Sequence, residues 1–224
     1  MIEAGPRVLA SFSPQLSERA AAQLRRLGVE LLSGAPVQHI DGLGYVRNGE
    51  RTAARTVLWA AGVAASPLGR LLGLPPERID RAGRVIVEPD LSLPGHAEVF
   101  VAGDLAAVTT TGPPVPGTAP AAKQMGAHVA AMIEAGLAGR ATQPFKYRDW
   151  GNLATIGRMA AVVDLRGLRI SGLIAWWFWL AAHIFFLIGF RNRIVVLTNW
   201  AWAYWTYQRH ARVVFGGAAE RGPG

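Results

Sequence analysis

The chain has 224 residues, a formal net charge of +8 and no cysteine. That length suits one large or two small domains, and the missing cysteine excludes disulfides, thiolate metal sites and cysteine nucleophiles. Hydrophobic residues make up 51% and charged residues 17%, and the opening Met1-Ile2-Glu3-Ala4-Gly5-Pro6 lacks the basic start and apolar core of a signal peptide.

In chain order, Met1-Ile2-Glu3 reads as the end of a strand. Ser13-Pro14 starts a helix, with Ser13 as a cap and Pro14 preformed for the first helical position. Leu16, Ala20, Leu24 and Leu27 recur at helical spacing, and Gly28 supplies the stop. Short strands are expected over residues 29–32, 37–40 and 44–46, with a hairpin turn at Asn48-Gly49. Residues 56–60 read as a further strand, ending in Ala61-Gly62. A loop-rich stretch follows over 68–90, broken by a short strand at 84–87. Residues 99–102 read as a buried strand that delivers Gly103-Asp104. After a Thr-, Pro- and Gly-rich loop, a helix is expected over 120–137, and residues 143–161 read as a connection.

The C-terminal third changes character. Six of the eight tryptophans lie between Trp176 and Trp205. Between Leu165 and Ala219 there is no Asp or Glu, but Arg166, Arg169, Arg191, Arg193, Arg209 and Arg212 occur there. An apolar, Trp-rich, purely basic segment suits an anionic membrane surface. The arginines flank apolar runs and form no stripe, which counts against nucleic acid. Residues 171–190 carry no Asp, Glu, Lys or Arg and reach the length of a membrane span. His183 in mid-run, arginines at both ends and scattered tryptophans favour lying in the interface instead. The shift in composition suggests a separate helical or α+β unit.

Strands alternating with helices indicate an α/β sheet protein. In such sheets ligands bind outside the carboxyl ends of the strands, which draws attention to Gly103 and Asp104. Gly103 permits close backbone approach, and Asp104 is an acceptor suited to a sugar-alcohol hydroxyl. The plainer reading, that Asp104 caps the next turn, is equally open. The helix from Pro120 points free N–H groups and a positive dipole end at what lies before it, with Lys123 and Gln124 in its first turns. Glu3 stands where an acid would bind an adenosine ribose, although a lone acid there is more often solvated.

In this order the elements resemble the type II NADH dehydrogenases, within the flavoprotein reductases that have two dinucleotide-binding domains. The resemblance runs through Glu3-Ala4-Gly5-Pro6-Arg7-Val8-Leu9, Trp59-Ala60-Ala61-Gly62-Val63, Asp90-Leu91-Ser92-Leu93-Pro94-Gly95-His96 and residues 99–104. It continues through Pro116-Gly117-Thr118-Ala119-Pro120 with Gln124 and Gly126, Tyr147-Arg148-Asp149, residues 151–158, Gly189-Phe190-Arg191-Asn192-Arg193 and residues 200–209. The run 151–158 and the Trp-rich tail are its most specific parts.

The resemblance implies an α/β two-dinucleotide-binding-domain flavoprotein fold, present in part, with a C-terminal membrane-anchoring helical region. Residues 1–62 would be the remainder of an NADH-binding domain, 63–142 the C-terminal part of an FAD-binding domain and 143–224 the membrane-association region. It implies FAD and NADH as cofactors. Glu3 would bind the NADH ribose, Ala61 and Gly62 would line the nicotinamide side, and Gly103 and Asp104 would hold the ribityl chain. Ala121 and Gln124 would face the flavin pyrimidine edge, and Lys123 and Gln124 the quinone. Trp176, Trp177, Trp179, Arg191, Arg193, Trp200, Trp202 and Trp205 would meet the bilayer. The implied activity is electron transfer from NADH through FAD to a membrane quinone without proton pumping, on the cytoplasmic face of a bacterial-type inner membrane. A homodimer is compatible with it, and no metal is implied. Pro120 and Lys123 stand where many members carry Gln and some carry His. Both Gly-rich dinucleotide loops of the family would precede Met1, so the resemblance implies an N-terminally truncated chain that is inactive alone. A membrane-associated binding protein without catalysis is the alternative.

Overall fold

The computed structural model describes residues 1–109, 112–165, 167–186 and 189–206. The chain divides into two compact units. One comprises Met1–Arg55 with Gly151–Gly224, the other Thr56–Trp150.

In the first unit, β1 (Ile2–Glu3) pairs in parallel with β2 (Leu32–Ser33). Between them runs α1 (Pro14–Arg26), whose Leu16, Ser17 and Ala20 are buried. Pro14 opens this helix as expected, but Ser13 makes no side-chain cap. Its N–H donates instead to Asp164 Oδ2 at 3.3 Å. A carboxylate brought from a distant strand thus binds the N–H of the residue before the helix, the group that a first-turn acid binds in a capping box. The strands β3 (Val37–Asp41), β4 (Gly44–Arg47) and β5 (Glu50–Ala53) form an antiparallel meander. Its second turn is Asn48-Gly49, both at positive φ (52° and 78°), the backbone that a two-residue hairpin loop requires.

The same unit takes up the C-terminal segment. A second meander, β10 (Asn152–Gly157), β11 (Ala160–Leu165) and β12 (Leu168–Gly172), carries α4 (Leu173–Phe186) on one side and α1 on the other. Leu16 and Ala20 share a core with Val162, while Ala161 and Val163 share one with Ala175 and Trp176. The alternation of β11 explains both cores, because successive side chains face opposite sides of a sheet. The composition shift suggests a separate C-terminal unit, but the packing of α1 on β11 joins it to the N-terminal segment. The connection expected over 143–161 in fact contains β10. The helix α5 (Phe190–Thr206) follows α4. Residues 171–190 are therefore not one continuous helix: Ser171 and Gly172 end β12, and Phe190 opens α5. Among the described residues no helix is long and apolar enough to cross a membrane. Arg166, Arg209 and Arg212 lie outside the described residues.

The second unit holds α2 (Leu68–Leu71), β6 (Val85–Ile86), β7 (Ser92–Leu93), β8 (His96–Phe100), β9 (Ala106–Ala107) and α3 (Ala119–Leu137). The pair β6–β9 is parallel, and β7–β8 is an antiparallel hairpin. Its core gathers Val85, Val87, Leu91, Val101, Met125 and Phe145. Two expectations are corrected here. Residues 56–60 form no strand, and Leu58 and Trp59 are 87% and 66% exposed: the β-forming residues are present, but no neighbouring strand pairs with them. The strand expected over 99–102 begins and ends earlier, and β8 is mostly exposed, paired among the described residues with β7 alone. Burial starts at Val101, just beyond the strand.

Candidate functional site

In the second unit, the chain leaves β8 and turns through a single 3₁₀ turn, Gly103–Leu105. Gly103 sits at φ 73°, in the left-handed region, and its N–H points to Met125 Sδ at 3.2 Å. A side chain added at Gly103 would touch the Cβ of Ala122 at 3.6 Å. The turn is therefore seated against the first turns of α3. Asp104 follows on the exposed side, within reach of the loop that enters α3: a Cβ at Gly117 would meet its Oδ1 at 3.5 Å.

The start of α3 supplies the complementary chemistry. Thr118 precedes the helix without a side-chain cap, and Pro120 occupies its first turn. The first-turn N–H groups lack intrahelical partners by construction, and they carry the positive end of the helix dipole. Ala121 is 1% exposed and packs inward, which fixes the helix against the turn. A carboxylate acceptor and a set of backbone donors thus share one exposed corner. Such a corner can bind a group that presents both hydroxyls and carbonyls.

The remaining expected residues fall as follows. Lys123 is exposed. Gln124 spends its amide on the backbone of Arg148. Its Nε2 donates to the Arg148 carbonyl at 3.0 Å, and its Oε1 accepts from the Arg148 N–H at 2.9 Å. Ala61 and Gly62 lie in exposed irregular chain. In the other unit Glu3 is half-buried at the end of β1, and its Oε1 accepts the Gly5 N–H at 2.8 Å. Among the described residues no group of His, Asp and Glu is arranged to hold a metal ion.

The helices α4 and α5 form the second feature, in the first unit. α4 packs through Ala175 and Trp176, while Ile174, Trp177, Phe178 and Phe185 are exposed on other faces. On α5, Ile194, Val195, Trp202 and Trp205 are exposed, the last at 86%. Trp179 stacks on Trp200 with centroids 5.4 Å apart and planes 4° apart, and the His183 ring lies 4.1 Å from Trp179. His183 also pairs through Nδ1 with the Trp179 carbonyl at 3.1 Å. Arg158, at the end of β10, donates to the Tyr204 carbonyl at 2.8 Å and lies 4.4 Å over the Tyr204 ring. The Gln124–Arg148 and Arg158–Tyr204 pairings carry no signal in the sequence, since each joins residues far apart in the chain. The positions of Gly103, Asp104 and the α3 start are signalled.

Residues 1–126 match the family model for pyridine nucleotide-disulphide oxidoreductases, and residues 150–206 match the model of the NDH2 C-terminal domain. The chain belongs to the type II NADH:quinone oxidoreductase family. It is 42% identical to the type II NADH:quinone oxidoreductase Ndh of Mycobacterium tuberculosis over 218 residues, 93% of this chain and 46% of that protein. To NdhA of the same organism it is 39% identical, covering 89% and 44%. To the type II NADH:quinone oxidoreductase of Staphylococcus saprophyticus it is 34% identical, covering 76% and 43%. The chain thus spans rather less than half the length of these relatives. Its fold matches that of NDH2 from Plasmodium falciparum in complex with NADH, with a TM-score of 0.80 at 15% identity over 94% of this chain and 58% of that one. The sulfide:quinone oxidoreductase of Aquifex aeolicus matches with a TM-score of 0.65 at 16% identity, covering 86% and 49%. The family therefore has a flavoprotein α/β fold, and this chain carries part of it.

Proposed function

We propose that this chain forms part of an NADH:quinone oxidoreductase, which takes electrons from NADH and delivers them through FAD to a membrane quinone without pumping protons. The observation that carries the reading is the corner where Asp104 meets the start of α3. FAD, when bound, supplies the ring that accepts hydride from NADH and passes electrons onward. Asp104 accepts hydrogen bonds from the ribityl hydroxyls, and Gly103 lets the backbone come close. The N-terminal turn of α3 directs N–H groups and dipole at the carbonyl edge of the flavin, where reduction places negative charge. Ala121, packed inward, seats the helix start against the turn and offers that edge its backbone N–H. Glu3 holds the NADH ribose, and Ala61 and Gly62 leave room for the nicotinamide. Lys123 and the second amide N–H of Gln124 are the polar groups offered to a quinone carbonyl.

The exposed apolar side chains of α4 and α5 support an interfacial, one-sided association with an anionic bilayer. Trp177, Trp202 and Trp205 suit the boundary between hydrocarbon and water. Arg191 and Arg193 add attraction to acidic headgroups. The face proposed is the cytoplasmic one, and the protein acts there as a monotopic respiratory enzyme.

Flavin affinity tests the assignment. A charge-assisted hydrogen bond is worth about 1.5–3 kcal/mol, so Asp104→Ala should weaken FAD binding by roughly one to two decades. FAD titration of the protein by fluorescence quenching reads this directly. Unchanged affinity would leave Asp104 as a turn residue and remove the main support for the flavin site.

A further inference from the structure

The face between α4 and α5 is not flat. A cavity of about 630 Å³ opens beside Arg158 and Tyr204, and another of about 420 Å³ opens beside Phe185 and Arg193. Both are lined by Trp177, Leu180 and Leu197, so they join into one apolar groove along the two helices. From Arg193 to Tyr204 the helix α5 runs about 16 Å at 1.5 Å per residue. Each end of the groove carries a guanidinium held over an aromatic ring, Arg158 over Tyr204 at 4.4 Å and Arg193 over Phe185 at 5.7 Å. Among the described residues no carboxylate lines either cavity, and none occurs in the sequence from Leu165 to Ala219.

We propose that this groove seats one acyl chain of an anionic phospholipid, with the phosphate at Arg158 and the chain running toward Arg193. The inference rests on the interfacial reading above and goes beyond it: it assigns a discrete lipid site within the face. Three properties select the occupant. The walls are apolar and long in one direction, which suits an unbranched hydrocarbon chain. Each of the two cavities has a volume within the range of small-molecule sites, about 300–1,000 Å³. The mouth of the larger cavity holds a guanidinium fixed in place by a carbonyl and a ring, and a guanidinium is suited to phosphate. A phosphocholine headgroup offers the same phosphate but offsets its charge with a trimethylammonium, so it gains less from the guanidinium than a net-anionic headgroup does.

The test uses the full chain, purified in mild detergent and exchanged against dioleoyl phosphatidylglycerol or dioleoyl phosphatidylcholine. Native mass spectrometry then counts the phospholipids retained per chain, and sedimentation with vesicles of either lipid reads surface association separately. One phosphatidylglycerol per chain is expected to survive exchange, with little phosphatidylcholine. Arg158→Gln should weaken retention about tenfold or more, as expected for loss of a charge-assisted pair, while Arg158→Lys should keep most of it. Ala201→Phe, which places a ring in the larger cavity, should abolish retention yet leave sedimentation with phosphatidylglycerol vesicles intact. Retention of both lipids alike, or retention untouched by both Ala201→Phe and Arg158→Gln, would overturn the site. So would displacement of the retained lipid by a neutral prenylquinone, or a lipid-free dimer. A chain that sediments with anionic vesicles but retains no phosphatidylglycerol would overturn the groove site alone. A chain that retains one phosphatidylglycerol but does not sediment would overturn only the surface association.

Discussion

Both ends of the Gln124 amide are bonded to the backbone of Arg148, a pairing that copies one rung of a sheet with a side chain. The bond ties the second turn of α3 to the segment just before Gly151, where the second unit ends. Two such bonds contribute about 1–2 kcal/mol net. Gln124→Ala should therefore lower the stability of the protein by that amount in urea denaturation. If its main role is instead a contact to quinone, the same substitution should raise the quinone KM and leave the urea midpoint in place. Asp104 contrasts with Gln124, being exposed with no hydrogen-bond partner among the described residues. Sequence separates the two poorly. A Gly-Asp pair after an apolar strand announces a site through its chemistry. A glutamine on a helix gives no hint that a carbonyl and an N–H 24 residues onward will claim it.

At the scale of elements, glycines and one acid set the turns that shape both meanders. Gly151 has φ 94°, and a Cβ there would fall 2.9 Å from Leu165 Cα and closer still to the Asp164 carbonyl oxygen. Gly49 has φ 78° but open space around it. Gly151→Ala should thus destabilise by about 3 kcal/mol or more, combining strain with a backbone clash, and Gly49→Ala by only about 1 kcal/mol. Thermal melts of the two variants compare them, and equal losses would contradict the close approach at β10. In the first meander, the Arg51 hydrogen bond, then the Leu43 N–H, hold the Asp41 carboxyl down at about 2, from an ordinary 3.8. A folded-state pKa below the unfolded one stabilises at pH above the unfolded value and is lost as pH falls through the folded value. The tie between β3 and β5 should accordingly be fully present above about pH 4 and be lost as pH falls through about 2. An NMR titration of the Asp41 carboxyl would show its midpoint, and Arg51→Gln should return it toward 3.8. The pair is exposed, so salt should weaken the shift.

Elements were legible where local chemistry alone decides them. Ser13-Pro14 with apolar residues at helical spacing marks α1, and Asn48-Gly49 marks its hairpin. Residues 56–60 have strand chemistry but no strand beside them, and strand formation depends on a partner. The opposite holds for β10: Asn152, Ala154, Thr155 and Gly157 show little alternation, yet β11 lies alongside and pairs with them. Ser13 illustrates the same limit at one residue, because Asp164 reaches the helix start from a strand that its sequence position does not reveal.

At the scale of the whole molecule, each unit carries its own part of the proposed chemistry. The second unit holds the corner built by Gly103, Asp104 and the start of α3. The first holds Glu3 and the exposed apolar face of α4 and α5. The apolar face would not be legible from a span count alone: residues 171–190 have the length of a membrane helix, but Gly172 and Gly189 sit at positive φ (79° and 81°) and bracket a helix of 14 residues. At about 21 Å, that helix is shorter than the roughly 30 Å hydrocarbon core. If both units serve one activity, NADH-dependent quinone reduction by the protein in its native membranes, with and without Asp104→Ala, reads it. Quinone reduction is expected to prefer NADH over NADPH, to lose rate in the Asp104→Ala membranes, and to recover that rate on adding excess FAD. Quinone reduction that is unchanged by Asp104→Ala at limiting FAD would break the link between this corner and the activity.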